Sequence, residues 1–176
     1  MKKIIGLLAL FFSLSITAQK LDKSWNKVYE YEYDGKIKSA SDELNKIYIK
    51  ARKKNDQAEI IRTFIYQSKF LMTLEEEAQY KIIKNLREEL TTKDEVNKAI
   101  FNYIYGKLLS EYYSQNRYKL KNQTATESVF NPDFRTWSAS DFEKEITAAY
   151  ENSIKNETIL LKTPLSDYDK IIVFGK

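Results

Sequence analysis

The side chains that could do chemistry in this sequence are few. It contains no His and no Cys, so the commonest metal ligands, general bases and soft nucleophiles are missing. Carboxylates come in runs, Glu75-Glu76-Glu77 and Glu88-Glu89, which read as solvated helix starts and outer faces. No pair of them falls in an apolar pattern of the kind acid–base catalysis uses to separate two pKa values. There is no glycine-rich phosphate loop and no Gly-x-Ser-x-Gly elbow. The residue types predict a non-enzymatic protein with no metal and no cofactor.

One stretch stands apart, FNPDFRTWSASDFEKEI at 130–146, with one of the two prolines and one of the two tryptophans. Asn131-Pro132 breaks helix and starts a turn. Phe130, Phe134 and Trp137 bring three large apolar groups into one loop, and leaving them all in water would create an unusual apolar patch. The spacing predicts that they tuck into the seam between the flanking helices. Arg135 then bonds loop carbonyls or stacks on an aromatic face. A capping box follows, either Ser140-x-x-Glu143 or Ser138-x-x-Asp141.

The elements that would position these residues are helical. Four glycines and two prolines in 176 residues disfavour a turn-rich β fold. Trp25, Val28, Tyr29 and Tyr33 follow the helical period, with Gly35 as a stop. Ala40, Leu44, Ile47, Tyr48 and Ala51 form a second stripe, ending in cations that suit a helix C-terminus. Asp56 with Glu59, Thr73 with Glu76 and Thr92 with Glu95 read as starts of a third, fourth and fifth helix. The fifth runs through Tyr112 and Tyr113 toward Arg117. The pattern fails over 121–139, a crossover loop, and a sixth stripe follows through Phe142, Ile146 and Ala149. A further helix from Ser166 or Asp167 would carry Tyr168, Ile171 and Ile172. Gly106, inside the fifth helix, costs about 1 kcal/mol relative to Ala and predicts close approach of a neighbouring helix.

Short connections make consecutive helices antiparallel neighbours. Helices one, three and five start roughly 35 residues apart, the length of a two-helix repeat. Ala40-x3-Leu44 and Ala78-x3-Ile82 match the second-helix pair of the tetratricopeptide pattern, and Tyr105-Gly106-x2-Leu109 looks like its first-helix pair. The expected fold is all-α, with antiparallel helical hairpins in a tetratricopeptide-like right-handed array or a compact bundle.

The N-terminus reads as a targeting segment. Lys2-Lys3, an apolar run from Ile4 to Ile16 and Thr17-Ala18-Gln19 make a three-part secretory signal over 1–19, too short for a comfortable membrane span. A single domain over 20–176 and a periplasmic, envelope or extracellular location in a Gram-negative bacterium follow as expectations. No stable membrane span is expected after cleavage. The absence of Cys fits a bacterial envelope better than a small disulfide-stapled secreted domain. Two of the four net positive charges leave with Lys2 and Lys3, so nucleic-acid binding has little electrostatic support.

Taken in order, the signal segment, Trp25, the Lys-rich second helix, Tyr112-Tyr113-Ser114-Gln115-Asn116-Arg117, Phe134-Arg135-Thr136-Trp137 and Pro164-Leu165-x2-Tyr168 resemble one known region. It is the N-terminal helical part of large bacterial alpha-2-macroglobulin-family proteins of the Bacteroidetes type. The resemblance implies a non-catalytic exported module from a family associated with protease trapping. Tyr112, Tyr113, Asn116, Arg117, Phe134, Arg135, Trp137 and Gly106 are its structural and family markers. Macroglobulin β-sandwich domains, bait region and thioester motif are missing. The expectation is therefore a fragment or remnant that traps nothing by itself, whose partner is the missing macroglobulin domains or another protein. The other reading is a stand-alone tetratricopeptide-like adaptor that binds a peptide or protein in a Tyr-lined groove.

Overall fold

A computed structural model describes residues 23–120 and 133–172. The signal segment, Phe130, Pro132 and most of the crossover lie outside them. The described residues form seven α-helices and two 3-10 turns, and no strand. The helices are α1 (Lys23–Tyr33), α2 (Ile37–Lys54), α3 (Gln57–Leu74), α4 (Ala78–Glu89), α5 (Glu95–Leu120), α6 (Ala139–Ile154) and α7 (Glu157–Lys162). The 3-10 turns are Phe134–Thr136 and Leu165–Tyr168. The chain is all-α. Each of the first five helices packs on the next in sequence, α3 also reaches α5, α7 touches α5, and α5 with α6 forms the largest interface.

Local chemistry fixes the helix ends. Gly35 takes a left-handed φ of 71°, which lets the Lys36 N–H reach back to the Tyr31 carbonyl at 2.8 Å. Asn55 does the same after α2 with φ 54°, a conformation asparagine tolerates better than most residues. Asp56 caps α3 by accepting from the Glu59 N–H at 3.1 Å. The reciprocal half of that capping box is absent, because the Glu59 side chain turns to Trp25 instead.

Two further expected starts are corrected. Thr73 lies inside α3, which runs to Leu74, and α4 begins without a side-chain cap behind Glu77. At α5 the Asn97 N–H is held by Asp94 at 2.8 Å, while Thr92 receives only the Asp94 N–H at 3.3 Å. Asp94 stands nearer the first helical turn, and its carboxylate accepts a stronger hydrogen bond than a hydroxyl does. Past α6 the helix expected from Ser166 is a single 3-10 turn, preceded by the short α7.

The core has two parts. Trp25 and Val28 of α1, Ala40, Leu44 and Ile47 of α2, and Phe70 of α3 make a small N-terminal one. A larger one runs from Ala51 through α3, α4, α5 and α6 to Tyr168. Buried carboxylates join the helices. Glu59 accepts from the Trp25 indole, and Glu89 of α4 accepts from Tyr48 (2.5 Å) and Arg52 (3.2 Å) of α2. No helix among the described residues is long and apolar enough to cross a membrane.

Candidate functional site

The second half of α5 carries Tyr112 and Tyr113 in adjacent positions, and the chain returning from the crossover folds onto them. Asp133 caps the 3-10 turn by accepting from the Arg135 N–H at 3.1 Å. That turn drives Phe134 edge-on into the Tyr112 ring, centroids 4.8 Å apart. Trp137 then packs edge-on against Phe142 of α6 at 5.3 Å, and Tyr113 stacks on Phe142 at 5.2 Å. Phe134 and Trp137 are 1% and 3% exposed, so they form a wedge among α4, α5 and α6 and offer no surface to a ligand.

Of the two expected roles for Arg135, the described residues show the stacking one. Its guanidinium lies 4.0 Å from the centroid of Tyr80 on α4, and Asp133 takes it in a fork through Nε at 2.9 Å and Nη2 at 2.8 Å. Nη1 reaches Glu77, just before α4, at 3.0 Å. The planar guanidinium suits this combination of stacking and bidentate pairing. The hydrogen bonds from Arg135 hold the Asp133 carboxyl below its usual range, against the opposing effect of desolvation. Arg87 of α4 lies 4.9 Å from the Trp137 ring and donates to the Tyr105 hydroxyl at 2.7 Å. Tyr105 in turn donates to Glu145 of α6 at 3.0 Å. Burial raises the Tyr105 pKa, which keeps this hydroxyl protonated as a donor.

Ser138 caps α6. Its hydroxyl accepts from the Asp141 N–H at 3.2 Å, and the Asp141 carboxylate accepts from the Ser138 N–H at 2.9 Å. Of the two capping boxes open in the sequence, the earlier one forms, and α6 starts at Ala139.

The structure thus brings Tyr112, Tyr113, Phe134, Arg135 and Trp137 together. It leaves the other markers out of that cluster. Asn116 bonds back to the Tyr112 carbonyl at 2.9 Å within α5, and Arg117 is exposed. Gly106 lies about two turns earlier, where a Cβ would meet Tyr150 at 3.2 Å and Ala149 at 3.3 Å. Asp133, Glu77, Tyr80 and Arg87 belong to the cluster and were not singled out from the sequence. The Asp two residues before Arg135 was the one local signal for them.

Chemically, this arrangement holds helices together. Its ionic groups bond one another, and no group of three or more carboxylates that could hold a metal occurs among the described residues. A separate, shallow cleft of about 380 Å³ opens between α5 and α6, lined by Leu90, Lys98, Asn102, Tyr105, Glu145 and Asn152 among others. Nearby, Tyr103 and Tyr150 pair at 6.1 Å and remain partly exposed.

Comparison with known proteins finds no matching family model, no matching curated protein and no matching solved structure. The macroglobulin resemblance therefore rests on the quoted residues alone.

Proposed function

We propose that this chain is a non-catalytic, exported helical module that acts as a scaffold, resembling the N-terminal region of an alpha-2-macroglobulin-like protease-trapping protein. One observation supports this reading above the others. The RTW stretch, the most reactive-looking part of the sequence, is spent on architecture: Phe134 and Trp137 are buried and Arg135 is clamped by Asp133 and Glu77. On this reading the chain supplies rigidity and position to neighbouring domains and has no inhibitory action alone. The test has two arms. The gene should continue past codon 176 into macroglobulin domains, and the purified chain should leave a panel of endopeptidases uninhibited. Inhibition by the chain alone would overturn the scaffold role.

A second reading is an adaptor that binds a peptide or protein. The exposed Tyr103–Tyr150 pair beside the α5–α6 cleft favours it. Most other tyrosines are turned inward, so a groove lined by many of them has less support than this pair. Tyr103→Ala with Tyr150→Ala would abolish partner capture while leaving the helical circular dichroism at 25 °C unchanged, if the adaptor reading holds.

A further inference from the structure

Between Ala149 and Tyr168 no residue is buried. The root of this stretch is tied to α5 by Asn156, whose amide donates to Glu95. Its tip is held more specifically. The Tyr168 hydroxyl donates to Asn97 Oδ1 at 3.1 Å. Asn97 is itself 1% exposed and donates through Nδ2 to the Gln57 carbonyl at 3.2 Å. Lys170 Nζ lies 3.0 Å from Asp56 and 3.2 Å from Glu59, at the start of α3. Ile171 and Ile172 pack against the larger core. Burial alone would lower the Lys170 pKa, but the hydrogen bonds to Asp56 and Glu59 leave it raised. A long exposed stretch whose buried anchor sits at its tip opens locally once those few contacts break, without unfolding the rest.

We propose that residues 156–172 form a detachable arm whose tip occupies, in cis, a peptide-docking seam at the starts of α3 and α5. When the arm lets go, the seam takes a short peptide with the tip's own pattern that folds into the same turn, in which the Ile171 and Ile172 N–H groups donate to the Tyr168 carbonyl. That pattern is an aromatic hydroxyl for Asn97, a cation two residues on for Asp56 and Glu59, and then two aliphatic residues. The chemistry of the occupant comes from contacts already made: an amide oxygen that accepts, two carboxylates and an apolar floor. This inference does not rest on the scaffold reading. A tethered tip competes at an effective concentration on the order of millimolar, so the seam is masked in the unaltered chain.

The test uses the full chain, unaltered and as Lys170→Glu, which sets a third carboxylate against Asp56 and Glu59. Hydrogen exchange should show amides of 156–172 opening faster in the variant, with those of α3 and α5 unchanged. A labelled peptide LSDYDKII, the sequence of 165–172, should bind the variant at least about tenfold tighter than the unaltered chain, because its tethered competitor is gone. The same peptide with Lys replaced by Glu should bind neither. Lys170→Gln serves if charge reversal unfolds the protein. An arm shown open by exchange but with no gain in peptide binding would overturn the docking seam. Exchange of 156–172 as slow as that of α5 in every variant would overturn the detachable arm.

Discussion

At the scale of single residues, an arginine two positions before a tryptophan in a Pro-broken loop is an ambiguous feature, and its surroundings decide its use. Here Asp133, Glu77 and the Tyr80 face take up the guanidinium, so Arg135 fixes the returning chain against α4. Trp137 closes the same corner from inside. Trp137→Ala should destabilise the protein by roughly 3 kcal/mol, the range for truncating a core aromatic, read as a lowered midpoint in urea with an unchanged slope. An unchanged midpoint would mean that the ring is not held in the core. Gly106 gives a sharper steric case. A Cβ there meets the Tyr150 ring edge, which can swing outward, and the Ala149 methyl, which cannot. Gly106→Val should therefore cost about 1–3 kcal/mol through overpacking, while Gly106→Ala gains helix propensity that offsets most of its strain. Equal melting temperatures for the two variants would contradict the close approach.

At the scale of elements, the caps determine where helices start, and closely spaced candidates are told apart only by geometry. Ser138 and Asp141 exchange hydrogen bonds at the start of α6. Ser138→Ala should cost about 1 kcal/mol. Ser140→Ala should be nearly neutral, since Ser140 already lies inside α6 and Ala is the better helix former. Thermal melts of the two single variants give the comparison directly, and the reverse order would place the cap two residues later. The α5–α6 pairing depends on this start, because it sets which side chains of α6 meet Gly106.

At the scale of the whole molecule, titration reports which groups the fold has committed. The hydrogen bonds from Arg135 to Asp133, and from Ser138 to Asp141, hold both carboxyls below their ordinary values. A depressed carboxyl adds stability that is full above the unfolded pKa of about 4. That stability is lost as pH falls through the folded values. Acid unfolding should therefore begin below about pH 4, and earlier by midpoint shift in Asp133→Asn. The alkaline side has the opposite sign. Desolvation pushes the Tyr48 and Tyr168 hydroxyls up to about 12. Their contribution is intact below the unfolded tyrosine pKa of about 10 and is lost as pH rises from there toward 12. Absorbance of tyrosinate near the alkaline limit should rise together with loss of helical circular dichroism. Ionisation of every tyrosine well before the helices melt would show these hydroxyls to be in water.

The sequence by itself determined what depends on near neighbours along the chain. Period and composition fixed the all-α class, the stripe Ala40, Leu44, Ile47 and Ala51 that is buried in α2, and the stop at Gly35. Tyr33 of the first stripe, by contrast, is left 94% exposed. Gly106 also pointed to a close approach, since an uncompensated glycine in a helix is costly. Tertiary structure decided what depends on partners far apart in sequence. Glu59 abandoned its local capping role for the Trp25 indole, 34 residues away, because a buried indole N–H needs an acceptor. Arg135 found Tyr80 of α4 and Glu77 just before that helix, and Lys170 found Asp56 across 114 residues. No period or motif encodes such meetings. They arise when packed helices bring buried polar groups together, and each group must then find a partner in place of water.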